Sequence, residues 1–184
     1  SLPHDWSIEG DFSLDNPSTP GGGALPGGIG WYRKTFTLPE TDRDKVIYVD
    51  FDGVYRNREV WINGHSLGFR PNGYVSFRYD LTPYLRYGSQ PNVIAVKADN
   101  SEQPNSRWYS GSGIYRNVWL VKVNPVHVDN WGTFVHDMKI SSEEATFALE
   151  VRIRNSSEAD REAEVSTSIY DDRNKVVTAS VTTL

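Results

Sequence analysis

The sequence predicts an all-β protein of two β-sandwiches in series, the first with Greek-key or jelly-roll connections and the second with an immunoglobulin-like arrangement. Three observations carry that prediction. Apolar and polar residues alternate with a period of two in both halves, no window of about twelve residues carries a helical stripe, and turn-forming residues punctuate the chain at short intervals.

Taken in order, Tyr32, Lys34, Phe36 and Leu38 alternate with Trp31, Arg33, Thr35 and Thr37, so one set faces a core and the other water. Strands follow over residues 45–52 and 58–62. Asn63-Gly64, directly after Trp61-Ile62, supplies the two positive φ angles of a type I′ turn and predicts a tight hairpin returning through His65. Residues 75–79 form the next strand, and in Asp80-Leu81-Thr82-Pro83-Tyr84-Leu85 the Asp80 side chain is placed to cap one helical turn. Strands over 93–98, 115–123 and 126–135 lead to Phe147, Leu149, Val151 and Ile153, which alternate with Ala148, Glu150, Arg152 and Arg154. Strands over 164–170 and 176–182 complete the set.

A chain of 184 residues holds one large domain or two small ones. The composition shifts at Pro125: residues 1–124 hold 23 of the 25 Gly and Pro residues and balance 13 basic against 13 acidic side chains, whereas residues 125–184 carry 6 basic and 11 acidic ones. We therefore expect a first domain over residues 1–124 and a second over 125–184, with the boundary near residues 123–126. The net charge of −5 argues against a sequence-independent nucleic-acid binder, which needs a basic face. Mean hydropathy is −0.54, and no run approaches the about 18 apolar residues of a membrane-spanning helix. The absence of cysteine removes disulfides, thiolate metal sites and a cysteine nucleophile, and fits a bacterial cytoplasm and periplasm equally.

Several motifs fail on spacing. Gly21-Gly22-Gly23-Ala24-Leu25-Pro26-Gly27-Gly28-Ile29-Gly30 lacks the Lys-Ser/Thr and the strand-to-helix setting of a phosphate cradle. Ser110-Gly111-Ser112-Gly113 lacks the spacing of a nucleophile elbow. The pairs His127/Asp129 and His136/Asp137 have no third ligand nearby in sequence, so no metal or other cofactor is expected.

The informative stretch runs from Asp99-Asn100 to Trp108-Tyr109. A carboxylate and an amide leaving a strand can hydrogen-bond hydroxyls, and an aromatic pair beyond a polar loop offers flat apolar faces to ring C–H groups. A polyhydroxylated ligand needs both. The same residues would equally serve a loop that orders itself and caps the core.

At this point a resemblance enters. Leu2-Pro3-His4-Asp5-Trp6-Ser7, Gly30-Trp31-Tyr32-Arg33-Lys34-Thr35-Phe36, Phe51-Asp52-Gly53-Val54-Tyr55-Arg56-Asn57 and Val60-Trp61-Ile62-Asn63-Gly64-His65-Ser66-Leu67-Gly68 occur in one order. Gly73-Tyr74, Tyr79-Asp80-Leu81-Thr82, Asn92-Val93-Ile94-Ala95-Val96 and Ser106-Arg107-Trp108-Tyr109-Ser110-Gly111-Ser112-Gly113-Ile114-Tyr115-Arg116 follow. Together they resemble the N-terminal sugar-binding domain of glycoside hydrolase family 2, and most closely its bacterial β-galactosidases. Residues 125–184 resemble the start of the immunoglobulin-like domain that follows in that family.

The resemblance implies a jelly-roll, galactose-binding-like sandwich that cleaves no bond itself and lends loops to the substrate pocket of a downstream (β/α)₈ barrel. It assigns Asp99 to hydroxyls of the galactosyl unit and makes Asn16, in the loop over residues 16–29, a candidate for the same pocket. Asn100, Trp108 and Tyr109 join them as substrate contacts, and Arg116 is assigned to anchor the loop. Retaining hydrolysis needs two carboxylates about 5–5.5 Å apart. In this family both lie in the barrel, and neither Glu59 nor Glu102 sits in a motif resembling theirs. An immunoglobulin-like domain spans about 100 residues, so the second domain is expected to be truncated and the chain a fragment. The expected partners are a β-galactoside or other glycan, the barrel of the same chain and a possible second copy. The alternatives are a free-standing carbohydrate-binding module, a piece of a related β-glucuronidase or β-mannosidase, and a structural sandwich without a sugar site.

Overall fold

The computed structural model describes residues 1–105 and 108–184, with Asp137 described by its backbone alone. Ser106 and Arg107 of the motif above lie outside the described residues. The chain divides into two compact units, Ser1–Lys122 and Val123–Leu184.

In the first unit, β1 (Gly28–Phe36), β2 (Val46–Phe51), β3 (Arg58–Ile62), β4 (His65–Arg70), β5 (Phe77–Asp80), β6 (Asn92–Asn100) and β7 (Val118–Val123) form two sheets. One has the order β1-β6-β3-β4 and the other β5-β2-β7. β1 and β6 pair antiparallel along their whole length, from Gly28 opposite Asn100 to Phe36 opposite Asn92. Alternation then sends Val96 and Ala98 of β6 and Val60 and Ile62 of β3 inward. They meet Val49 and Phe51 of β2, Phe77 of β5, and Val54, Leu81 and Ile114 from the connections, forming the core. Phe51 and Phe77 stack with ring centroids 4.8 Å apart, and each buried side chain of this size contributes about 1.5–3 kcal/mol.

The expected hairpin is present. Asn63 and Gly64 both take positive φ, 49° and 86°, and turn β3 into β4. Asn63 also fixes the turn from outside: its amide nitrogen donates to the Tyr84 carbonyl at 2.8 Å, and its amide oxygen accepts from the Val93 N–H at 2.9 Å. A single 3-10 turn spans Thr82–Tyr84, with the Asp80 carboxylate accepting the Thr82 N–H at 2.9 Å. Two strands start two or more residues later than the alternation predicts. β5 begins at Phe77, and β7 begins at Val118 because residues 113–117 bond instead to the segment after β2. Gly113 and Tyr55 exchange backbone hydrogen bonds, and the Asp52 N–H donates to the Asn117 carbonyl at 3.0 Å.

In the second unit, β8 (Val126–Ile140) pairs antiparallel with β9 (Ala145–Asn155), and β10 (Glu164–Tyr170) with β11 (Val176–Thr183). β8 runs past residue 135 because its ladder absorbs extra residues between Val128 and Thr133. Gly132 makes that possible: a Cβ there would lie 2.7 Å from the Asp129 carbonyl oxygen and 2.9 Å from that of Arg152. Asp129 accepts from the Nε and Nη2 groups of Arg154, each at 2.9 Å, which takes its carboxyl down to about 2. Val128, Val135, Phe147, Leu149, Val151, Val165 and Ile169 line a groove between the two ladders, and most of them are exposed or half-buried.

Candidate functional site

Asp99 and Asn100 end β6, and as consecutive strand residues they point to opposite faces of the sheet. Asp99 lies on the outer face. Its N–H donates to the Arg56 carbonyl at 2.8 Å, which ties the end of β6 to the segment entering β3. One carboxylate oxygen, Oδ1, accepts from the Ser101 hydroxyl at 2.5 Å and from the Ser101 N–H at 3.1 Å. The other, Oδ2, lies 3.7 Å from the Lys97 ammonium, which is also 3.7 Å from Glu59. The Ser101 hydroxyl, and after burial and the Ser101 N–H also the Lys97 charge, act on the Asp99 carboxyl with the net result that it lies below the usual carboxylate range. The group is therefore an ionised acceptor at neutral pH, with one oxygen fixed by the loop. Beside it Arg56 pairs with Glu102 at 2.8 Å.

Asn100 turns inward and is 2 % exposed. Its amide nitrogen donates to the Gly111 carbonyl at 3.1 Å and to the Ser112 hydroxyl at 2.8 Å, and its amide oxygen accepts from Asn105. Both of its amide N–H donors are spent on the loop, which leaves none for a ligand. Asn16 is placed similarly: its amide nitrogen donates to the Asp11 and Ala24 carbonyls at 2.9 and 2.8 Å and closes the loop on itself. Arg116 is exposed, lies over the Tyr115 ring at 5.3 Å and runs along Gly53.

Trp108 is 70 % exposed, and Tyr109 is half-buried. Both line a crevice together with Asn100, Asn105, Leu25 and Pro26, but the crevice measures only about 10 Å³, room for no more than a single water. Asp99 and Asn16 do not line it. The structure thus brings Asn100, Trp108 and Tyr109 together and leaves Asp99 on the other face of the same strand end.

Sequence reasoning missed the residue that organises this loop. Asp5 accepts from the Ser7 and Ser112 N–H groups, each at 2.9 Å, through Oδ1 and from the Tyr109 hydroxyl through Oδ2. Burial first, and then the Asp5 carboxylate, push the Tyr109 phenol well above its ordinary value. The Ser7 hydroxyl lies 2.6 Å from both the Pro26 carbonyl and the Ser112 hydroxyl, and Ser112 in turn meets Asn100. Asp5-Trp6-Ser7 is the signal that could have found it, since an Asp two residues before a bonded N–H is a local turn former with a second oxygen to spare. Among the described residues no group of three or more His, Asp or Glu side chains is arranged to hold a metal.

Comparison with known proteins supplies the family. The model for the sugar-binding domain of glycosyl hydrolases family 2 matches residues 13–124. A β-galactosidase from Bacteroides ovatus, BoGH2A, is 58 % identical over 170 residues, covering 92 % of this chain and 20 % of that protein. A putative β-glucuronidase from Formosa agariphila is 46 % identical over 154 residues, covering 84 % of this chain and 15 % of that protein. The crystal structure of a β-glycosidase from Bacteroides vulgatus superposes with a TM-score of 0.93 at 44 % identity, covering 100 % of this chain and 24 % of that one. The chain thus spans about a fifth of the length of the relatives it matches. With the match running through both sheets and through the loop that Asp5 organises, the chain belongs to glycosyl hydrolase family 2 and carries that family's sugar-binding domain.

Proposed function

We propose that this chain is a non-catalytic part of a β-galactosidase and shapes the galactoside pocket of a downstream (β/α)₈ barrel. The observation that carries the proposal is Asp99, an ionised carboxylate at a strand end with one oxygen locked by Ser101 and the other facing Lys97 on the outer face of the sheet. A fixed anionic acceptor suits a sugar hydroxyl, because hydrogen bonds to charged groups are worth about 1.5–3 kcal/mol. The crevice at Trp108 is too small for a sugar ring, which supports a pocket whose remaining walls come from elsewhere in the parent protein. The exposed Trp108 face is available to stack on such a ring.

In the parent enzyme, Asp99→Ala should lower kcat/KM on a chromogenic β-galactoside by about 10- to 100-fold, the loss of one charged hydrogen bond. The 184-residue chain alone should hydrolyse that substrate no faster than buffer. Unchanged kcat/KM in Asp99→Ala would remove Asp99 from the pocket. Turnover by the isolated chain that survives repurification would show that this chain holds its own acid and nucleophile. The similarity to a putative β-glucuronidase supports a second reading, a glucuronide-cleaving parent, and parallel rates on galactoside and glucuronide substrates decide between the two.

A further inference from the structure

The outer face of the sheet β1-β6-β3-β4 carries two tryptophans outside the core. Trp31 of β1 stands opposite Lys97 of β6, which stands opposite Glu59 of β3, and one step along the strands Arg33, Ala95 and Trp61 stand opposite one another in the same way. Residues directly opposite share a face, so all six point away from the core. The two indoles lean across β6 and stack, with ring centroids 5.3 Å and planes 27° apart, while Trp31 remains 62 % exposed and Trp61 half-buried. Ala95 is the small residue of this face. Beside it Trp31, Tyr32, Arg33 and Ala95 line an open hollow of about 450 Å³, within the range of about 300–1,000 Å³ that ligand sites occupy.

The polar groups around the hollow are of two kinds. Arg33 is exposed, and among the described residues neither its guanidinium nor either indole N–H has a partner, so three donor groups stand free. Next to Trp31 the Lys97 ammonium lies 3.7 Å from both Glu59 and Asp99, which sets half-buried carboxylate acceptors beside the aromatic pair. A second protein surface would have to take that charge trio out of water, and the cores of interfaces are depleted of charge for this reason. The net charge of −5 provides no basic field for a nucleic acid. A pyranose ring suits both kinds of group at once. Its C–H face is apolar and stacks on an indole, while its hydroxyls accept from guanidinium and indole N–H groups and donate to carboxylates with their outer sides still in water.

We infer that the Trp31–Trp61 platform and the hollow beside Arg33 form a glycan-binding site that takes one pyranose ring of an oligosaccharide. Every group that builds it lies on three strands of the first unit, so it stands or fails independently of the barrel pocket proposed above. A free guanidinium serves the hydroxyls of a neutral sugar and the carboxylate of an acidic one, and the test separates the two.

The test is a titration of the ¹⁵N-labelled 184-residue chain with lactose, sodium D-glucuronate and the open-chain polyol sorbitol, following the indole N–H resonances of its six tryptophans, assigned through Trp→Phe variants. The Trp31 and Trp61 resonances should move saturably with the ring sugars, with half-saturation on the order of 1–10 mM, and should hold still with sorbitol, which has hydroxyls but no ring face. Trp31→Ala, an exposed change that leaves the core intact, should raise the half-saturating concentration read at Trp61 by about 3- to 10-fold with Tm unchanged. Arg33→Gln should raise it several-fold. A larger rise for glucuronate than for lactose identifies an acidic sugar as the ligand, and an equal rise a neutral one. The inference is overturned if sorbitol acts as lactose does, if Trp31→Ala binds as wild type does, or if Trp108 alone responds, which would put the sugar at the loop instead. Broadening of Trp31 and Trp61 that grows with protein concentration, without any response to sugar, would overturn it in favour of a protein-docking face.

Discussion

Asp5 is the residue whose removal tells most about how the loop around Tyr109 and Ser112 is held. Its carboxylate accepts three hydrogen bonds from two distant parts of the chain, the Ser7 and Ser112 N–H groups on Oδ1 and the Tyr109 hydroxyl on Oδ2. Asp5→Ala leaves all three donors without their acceptor in a half-buried setting, and at about 1 kcal/mol each the cost is about 3 kcal/mol. Asp5→Asn keeps an oxygen for the two N–H groups and loses the anionic acceptor for Tyr109, a cost of about 1 kcal/mol. Thermal unfolding should therefore show Tm losses of about 10 °C for the alanine and about 4 °C for the asparagine variant. The Tyr109 phenol provides a second readout. Burial and Asp5 raise its pKa above the ordinary value of 10.0, so the folded state keeps a proton that the unfolded state gives up. The stability linked to that proton is intact below pH about 10 and is lost as pH rises beyond it; without the Asp5 carboxylate the folded pKa falls back toward 10.0, so the alkaline loss should be smaller and end at a lower pH in both variants. Equal Tm losses in the two variants, or an alkaline limb unchanged by either, would refute the assignment of Asp5 as the organiser of the loop.

Two further outcomes follow from the same geometry. The Ser101 hydroxyl is the foremost cause of the low Asp99 pKa, so Ser101→Ala should move the Asp99 titration upward in carboxyl chemical-shift measurements, and the stability that Asp99 contributes above its unfolded value should fade less steeply as pH falls. An unmoved titration would assign the shift to Lys97 instead. The apolar groove between the two ladders of the second unit should draw copies of the chain together, giving a mass by light scattering above 20.8 kDa that falls on dilution. A mass that stays at the monomer value, with amide exchange as slow over residues 125–184 as over the first unit, would show that this unit needs no partner.

The all-β architecture was legible because it rests on local and periodic signals. The period of two placed Tyr32 and Phe36 against the core, Asn63-Gly64 fixed a hairpin, and Asp80 marked a single turn, each decided by residues within a few positions of one another. The geometry of the candidate site was legible only where it depends on strand phase. Alternation puts Asp99 and Asn100 on opposite faces, so no arrangement of this strand lets both side chains reach one ligand. Asp5 and its partners lie 104 and 107 positions apart in the chain, a separation to which periodicity is blind. Arg58 shows the two kinds of signal in conflict. Its phase with Val60 and Ile62 sends it inward while its charge argues for water, and the structure follows the phase. Strand register is set by the whole hydrophobic face of β3, since a slip of one residue would expose Val60 and Ile62 to save one cation. The guanidinium carried inward this way stacks over the Phe77 ring, 4.1 Å from its centroid. The same logic separates two classes of substitution in the loop region. On the function proposed above, changes at Asp5, Ser7, Asn100 or Ser112 should loosen the whole loop and act on any ligand alike, whereas a change at Asp99 should act on the one hydroxyl its outward oxygen would reach.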